Sequence, residues 1–387
     1  MEQGEKFKYV KEMEKVKVLL FVDRMRTGGI QILLVNLLKV FDKKKYSFDV
    51  LMLDDGTDYP MEKDIIEAGA SIYKLKGIWI NTPIDYIKYK KAVSAFFNEH
   101  HDYDVVHMHS SSKNFLILKY AKEYGVSIRI AHSHNTDFQT HNRLKIIIGD
   151  ALKKQLIKYS TDCLACSKIA GEWLFGEKMV EDGRVLVIKN GIDIEKYQYN
   201  QKVRDDKREE LGISDKLVIG NIGRFVRQKN HDFLIDIFSE IKKIEPNSIL
   251  ILAGIGELMN SIKEKVKGLG LESDVLFLGF RSDVNELTQA MDLFLMPSFY
   301  EGFPVTAVEA QAAGLPCVLS SSITDEASIL DETVYVDLNQ SAAYWAEQAL
   351  KCIGKSDRKN SYETLKSKGF DITDMAKSLE NIYARED

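Results

Sequence analysis

Cysteine is scarce in this chain of 387 residues: there are four, and one close pair, Cys163-x-x-Cys166, has no second pair and no histidine at ligand spacing beside it. That argues against a zinc site there, and the pair reads as two reduced thiols buried on a strand. Long apolar runs are missing too. The first run, Val16 to Val22, falls far short of the ~20 residues of a membrane span, and after fourteen highly charged residues it does not make a signal peptide. The expectation is a cytoplasmic protein. Nor does one sign of charge dominate: 53 basic against 58 acidic side chains, with a pI near 6.0, exert no global pull on nucleic acid or anionic lipid. Any basic surface must be local. Low-complexity tracts and short-period repeats are likewise absent.

What is present is enough apolar residue, 45% of the chain, to fill two cores, and a length beyond what one core usually serves. Short runs of Val, Ile and Leu alternate with longer amphipathic stretches, the pattern of parallel strands covered on both faces by helices. Strands are predicted at Val16–Val22, Phe48–Leu53, Ser71–Leu75, Val105–His109, Ile128–Ser133, Cys163–Cys166 and Val185–Lys189. The turn Asn190-Gly191-Ile192-Asp193 and a polar stretch, Asn200–Glu210, with no apolar face mark 193–214 as a link. The alternation restarts at Leu217–Asn221 and continues through Ile249–Ala253, Val275–Leu278, Leu293–Met296, Cys317–Ser320 and Val334–Val336. Two doubly wound α/β domains facing a cleft follow, at 1–195 and 196–370, with 371–387 a helix that packs back on the first.

The most informative segment runs from Pro297 to Pro316. A strand ends at Pro297, a loop carries Glu301, Gly302, Phe303 and Pro304, and a helix containing Val305, Thr306 and Glu309 stops at Gly314. Glu301 precedes the helix and Glu309 lies within it, so two carboxylates meet one ligand at different depths, with a free helix N-terminus suited to phosphate between them. Isolated, each would be a surface glutamate. Three further loops follow strands. Gly223-Arg224 with Lys229 supplies two cations that can converge on a diphosphate. Gly254-Ile255-Gly256 lets a ligand approach the backbone, and Gly279-Phe280-Arg281-Ser282-Asp283 offers main-chain groups to a flat base.

This ordered set, Gly223-Arg224 with Lys229-Asn230, Gly254-x-Gly256, Gly279 with Asp283, Asp292, Pro297-Ser298, Glu301-Gly302-Phe303-Pro304 with Glu309, and Gly314 with Pro316, resembles the C-terminal domain of the retaining, GT-B-fold glycosyltransferases of family 4. The resemblance is strongest to bacterial enzymes that extend lipid-linked capsular or exopolysaccharide repeats. It implies that Arg224 and Lys229 bind the donor diphosphate, that Glu301 sits beside the transferred sugar and Glu309 holds the ribose, and that Phe280 and Arg281 receive the nucleobase, with uridine the expected base. It implies retention of the anomeric configuration, and it leaves open whether Glu301 is a nucleophile or accepts sugar hydroxyls. No metal and no cofactor are expected.

In the first half, Gly28-Gly29 fits a tight strand-to-helix turn. On residues alone that turn is as well explained by structure as by a ligand; the resemblance favours a loop under the donor phosphate. Five of the eight histidines fall between 101 and 134. Alternation sets His107 with His109, and His132 with His134, each pair on one face of its strand. Pairs of this kind can bind zinc, yet no Asp or Cys ligand stands at fitting spacing, so hydroxyl or phosphate recognition is the preferred reading. The resemblance selects His134 as the residue near the sugar, with His132 the fallback and His109 and Asn135 on the acceptor side. Asp102-Tyr103-Asp104 precedes its strand and reads as a solvated loop. Residues 143–158 form a helix with Leu144, Ile148, Leu152 and Leu156 on a stripe and Lys145, Lys153, Lys154 and Lys158 elsewhere: either a core-packed helix or a dock for anionic membrane. Two rivals on the same architecture are a nucleotide-sugar 2-epimerase, which needs no acceptor, and a sugar-nucleotide-binding subunit without activity of its own.

Overall fold

The computed structural model describes residues 15–25, 28–59, 61–78, 82–138, 142–354, 358 and 360–385. The charged leader at 1–14, Thr27 beside the Gly-Gly turn, and the last two residues lie outside the described set. Each apolar run becomes a parallel strand: β1 (Val16–Val22), β2 (Tyr46–Asp54), β3 (Ser71–Lys76), β4 (Val105–His109), β5 (Ile128–Ser133), β6 (Asp162–Ala165) and β7 (Val185–Val187), then β8 (Leu217–Ile222), β9 (Ser248–Ala253), β10 (Val275–Gly279), β11 (Leu293–Met296), β12 (Cys317–Ser320) and β13 (Thr333–Val336). Among the described residues they form two sheets, ordered β3-β2-β1-β4-β5-β6-β7 and β10-β9-β8-β11-β12-β13. The runs are continuous because both faces are buried. In β1, Leu19 and Phe21 enter one core while Val18, Leu20 and Val22 enter another. In β9, Ile249 and Ile251 divide from Leu250 and Leu252 in the same way.

Strand order reverses between β1 and β4 in the first sheet and between β8 and β11 in the second. At such a switch point neighbouring loops leave in opposite directions and open a crevice at the carboxyl ends of the strands. The Gly28-Gly29 turn and His109 flank the first crevice. Gly223-Arg224 and the Glu301 loop flank the second.

The segment read as a link, 193–214, lies between β7 and β8 and is largely folded. Residues Ile194–Tyr197 and Gln201–Leu211 are helical, the latter capped by the Asn200 side chain and ended by Gly212 in the left-handed region at φ 68°. This helix docks through charge instead of an apolar stripe. Lys207, buried, meets Asp283 at 2.8 Å and Glu286 at 2.9 Å, while Arg204 and Arg208 both reach Asp292. Ion pairs leave no apolar periodicity for sequence reasoning to detect.

The helix Ile372–Tyr383 turns Ile372, Met375, Ala376, Leu379, Ile382 and Tyr383 into the core shared with Val18, Leu20 and the helix Gly29–Val40. Its approach begins at a crossing of two chain passages. Ile192 and Asp371 form a parallel bridge, with Ile192 N–H donating to Phe370 O and Ile372 N–H to Ile192 O, both at 2.9 Å. A Cβ on Gly191 would sit 2.6 Å from Ile372 Cα, so glycine is required there for the two chain passages to touch.

The four cysteines are free and buried, and burial pushes the Cys163 and Cys166 thiols up to about 12. No helix among the described residues is long and apolar enough to cross a membrane.

Candidate active site

The loop after β11 descends into the second crevice because β11 is central and ends in Pro297, which cannot continue a ladder. Hydrogen bonds tie it to the loop after β8: Asn230 Nδ2 donates to Pro297 O at 3.0 Å, and Phe299 N–H donates to Gln228 O at 2.9 Å. Asn230 holds φ 53°, a conformation asparagine tolerates, as it opens the helix His231–Ile244. Gln228 Nε2 donates to Tyr300 O and to Glu301 Oε2, at 3.0 and 3.2 Å. Lys229 Nζ lies 2.8 Å from Glu301 Oε1, and that carboxylate is only 7% exposed. Two side chains 72 residues apart, each singled out from sequence, thus form one ion pair. The pairing itself could not be read from spacing.

Arg224 is exposed and makes no ion pair among the described residues. Its place is marked by Tyr300, whose phenol is raised first by burial and then by Asp137, against the lowering influence of Arg227 and Arg224. A guanidinium without a carboxylate therefore stands near the Lys229–Glu301 pair. Gly223 packs on the same lysine: a Cβ there would meet Lys229 Cε at 3.2 Å.

The glycines after β9 also answer a packing need. A Cβ on Gly254 would lie 2.0 Å from Gly223 O, and one on Gly256 2.4 Å from Phe225 O. Main chain occupies the space on that side of them, and these glycines lock the β9 loop against the β8 loop. At the sheet edge after β10, Phe280 is 45% exposed. Arg281 is committed to Asp283, at 2.5 Å, and to Glu210, at 3.2 Å, so its charge is spent within the protein. Arg281 nevertheless stays 26% exposed, beside the ring of Phe280.

At the start of the helix Val305–Ala312, Pro304 provides no side-chain cap, and the Val305 N–H already donates to Phe303 O at 3.0 Å. The free helix N-terminus expected from sequence is reduced by that donor. The Thr306 hydroxyl is buried there without a partner. Gly29 faces this helix start, its Cβ position 3.7 Å from Val305 Cγ2, so the Gly28-Gly29 turn does reach the donor half. Glu309 is no surface residue. It is 4% exposed, its carboxyl pushed up to about 7 by burial, against the lowering effects of a hydrogen bond with Tyr197 and the charge of Lys196.

The two sheets meet at Gly302. A Cβ there would stand 2.0 Å from His134 O, Thr136 Oγ1 reaches Glu301 O at 3.4 Å, and Ser167 Oγ donates to Gly302 O at 2.9 Å. His134 and its neighbour Asn135 are thereby set directly on the Glu301 loop, with His132 one alternation deeper. The imidazoles turn into the first sheet. His109 Nδ1 and His134 Nε2 are 2.9 Å apart, His107 Nε2 and His132 Nδ1 3.1 Å, and all four side chains are buried. Burial pushes His107 and His134 down to about 3. Asp102 and Asp104 sit at the opposite, amino ends of the strands, both bonded to Lys17.

Two family models match the chain in succession: Glycosyltransferase Family 4 over residues 27–196, and Glycosyl transferases group 1 over residues 203–361. A Bacillus subtilis (strain 168) protein named "Putative glycosyltransferase EpsF" is 33% identical over 376 residues, spanning 95% of this chain and 96% of that one. An Escherichia coli UDP-Gal:alpha-D-GlcNAc-diphosphoundecaprenol alpha-1,3-galactosyltransferase is 31% identical over 57% of this chain and 58% of its own length. In fold, Anabaena HepE, crystallised with UDP and glucose, matches 96% of this chain and 100% of its own with a TM-score of 0.78 at 19% identity. Two parallel Rossmann-like sheets with their switch-point loops face to face define a GT-B glycosyltransferase. The chain belongs to the family 4, group 1 glycosyltransferases.

Proposed function

We propose that this glycosyltransferase moves a hexose or N-acetylhexosamine from a uridine-diphosphate sugar to a saccharide or lipid-linked acceptor in the synthesis of a bacterial surface polysaccharide. It retains the anomeric configuration and uses no metal at the donor site. The observation that carries the reading is the Lys229–Glu301 ion pair beside Arg224 in the second crevice. A diphosphate entering next to Arg224 offers Lys229 more negative charge than one carboxylate does. The ammonium moves to phosphate, and Glu301 is released to accept hydroxyls of the sugar. Arg224 and Lys229 then stabilise the charge that develops on the leaving phosphate as the anomeric bond breaks. Support for uridine and for a diphosphate-lipid acceptor comes from the name of the Escherichia coli relative. Glu309, beyond the helix start, is the candidate for the ribose, and the Phe280 ring for the base.

Isothermal titration with UDP separates these roles. Lys229→Ala weakens UDP binding about tenfold or more, the loss of one charge-assisted contact. Glu301→Gln leaves UDP affinity unchanged or raises it, because the ligand no longer displaces a carboxylate, while transfer falls steeply. Equal weakening by both substitutions refutes the exchange. Proton NMR of the product reports the anomer, and an inverted product refutes retention. Epimerised nucleotide sugar formed without acceptor moves the assignment to the epimerase.

The enzyme works at the inner face of the cell membrane in this reading. In the helix Arg143–Tyr159 the stripe divides: Leu156 is buried, whereas Leu144, Ile147 and Ile148 are 66, 65 and 50% exposed beside Arg143 and Lys145. Lys153 is not part of that surface, since it donates to Trp173 O and lies over the rings of Phe138 and Trp173. Ile84 and Ile87 are also exposed, on the helix Pro83–Glu99 that carries Lys88, Lys90 and Lys91. Apolar side chains among basic ones suit an anionic lipid surface. Co-sedimentation with anionic vesicles tests this: wild type binds and the Leu144→Ser, Ile147→Ser, Ile148→Ser triple variant does not, whereas wild type failing to bind even at low salt overturns it.

A further inference from the structure

Behind the point where His134 meets Gly302, four imidazoles stand together on the adjoining ends of β4 and β5 with no carboxylate bonded to any of them. His107, His109 and His132 are 0, 3 and 1% exposed. A polar group buried without a hydrogen bond costs about 1–3 kcal/mol, and His109 Nε2 and His132 Nε2 are two such atoms. An apolar strand end would have avoided that cost, so the cluster calls for something that ring nitrogens satisfy.

Its geometry is that of a ligand set. One ring nitrogen from each of His107, His109 and His132 lies within 4.8 Å of the others. The separation of His107 Nε2 from His132 Nδ1, 3.1 Å, is close to the edge of a tetrahedron built on zinc–nitrogen bonds of about 2.0–2.1 Å, which is about 3.3 Å. The second nitrogens of His107 and His109 are held as those of metal-bound histidines are held, while His132 Nε2 stays without a partner. His107 Nδ1 is 2.6 Å from the Tyr383 hydroxyl, and His109 Nδ1 is 2.9 Å from His134 Nε2.

We propose that His107, His109 and His132 form a binding site for a first-row transition-metal ion of the zinc class, distinct from the donor site and backed by Tyr383 and His134. Three imidazoles without a carboxylate suit Zn²⁺, Co²⁺ or Ni²⁺ and disfavour Mg²⁺, Ca²⁺ and Mn²⁺, which prefer oxygen. Bound there, the ion ties β4 to β5 and, through Tyr383, to the C-terminal helix.

The experiment uses the full chain without a histidine tag, stripped with EDTA, dialysed against micromolar Zn²⁺ and then against metal-free buffer, with bound metal measured by mass spectrometry. About one zinc per chain is expected, together with a visible d–d band when Co²⁺ replaces it, as tetrahedral nitrogen ligation produces. His109→Ala and His132→Ala abolish retention, and Tyr383→Phe, which keeps the packing and removes the outer contact, weakens affinity about 10–100-fold. If a cluster variant fails to fold, the histidine pair outside the cluster decides: His100→Ala with His101→Ala leaves retention intact if the site is the buried one. Wild type that retains no zinc overturns the proposal. So does retention unchanged by the cluster substitutions or lost with His100 and His101.

Discussion

Glu309→Gln is a sharp probe of how this fold uses charge, because it separates the cost of a buried carboxyl from its use. Burial moves the Glu309 carboxyl from the ordinary 4.5 to about 7. Below pH 4.5 the group is protonated in both folded and unfolded chains and contributes nothing. Between 4.5 and about 7 the unfolded chain releases a proton that the folded one keeps, so stability falls as pH rises, and above about 7 the full penalty applies. A displacement of this size corresponds to about 3 kcal/mol. Glutamine preserves the shape and the bond with the Tyr197 hydroxyl but has no charge to desolvate. Urea denaturation of both proteins without ligand, from pH 4.5 to pH 8.5, tests this through the variant-minus-wild-type difference. The buried histidines, whose lowered values act with the opposite sign, are common to both and cancel. The variant gains about 3 kcal/mol on wild type across the window. A difference curve flat within about 0.5 kcal/mol, the scatter of an inconsequential substitution, refutes the reasoning. Titration with UDP then asks what the penalty is retained for: a ribose contact predicts about tenfold weaker binding in the variant.

Gly302→Ala places a methyl group 2.0 Å from a backbone oxygen that cannot yield without moving the His134 segment; turnover falls about 100-fold, the consequence of ångström-scale misplacement, while UDP affinity changes little. Unchanged turnover would mean that contact between the halves at this point is dispensable. Lys207→Met removes the cation from three carboxylates that are themselves partly solvated, so destabilisation of about 1–2 kcal/mol is expected, below the 3–5 kcal/mol of a fully buried pair. Urea unfolding reads it, and a stabilised variant would show that the helix Gln201–Leu211 docks by its apolar atoms.

The strands and the switch-point loops were legible because period and composition report them directly: β4, β5, β11 and β12 begin and end where the apolar runs do. The residues at Glu301 and Arg224 were legible because their types and order are unusual together. What stayed hidden was pairing. Nothing local couples Lys229 to Glu301, or His107 to Tyr383, 276 residues apart. The helix Gln201–Leu211 was hidden because its anchor is ionic, and Gly254 because a close approach of two backbones resembles, in sequence, the approach of a ligand. The Ile372, Met375, Ala376, Leu379 and Ile382 spacing was the available signal for a helix with a core-facing stripe, though not for the histidine its last ring would touch.

The bridge between Ile192 and Asp371 places the outgoing and returning passages of the chain side by side. Phe370, whose carbonyl accepts the Ile192 N–H, also stacks its ring on Phe303 with centroids 6.0 Å apart. Phe303 follows Gly302 directly, so the crossing and the Glu301 loop form one continuous seam. A shift of the returning passage is therefore felt at the loop that carries Glu301.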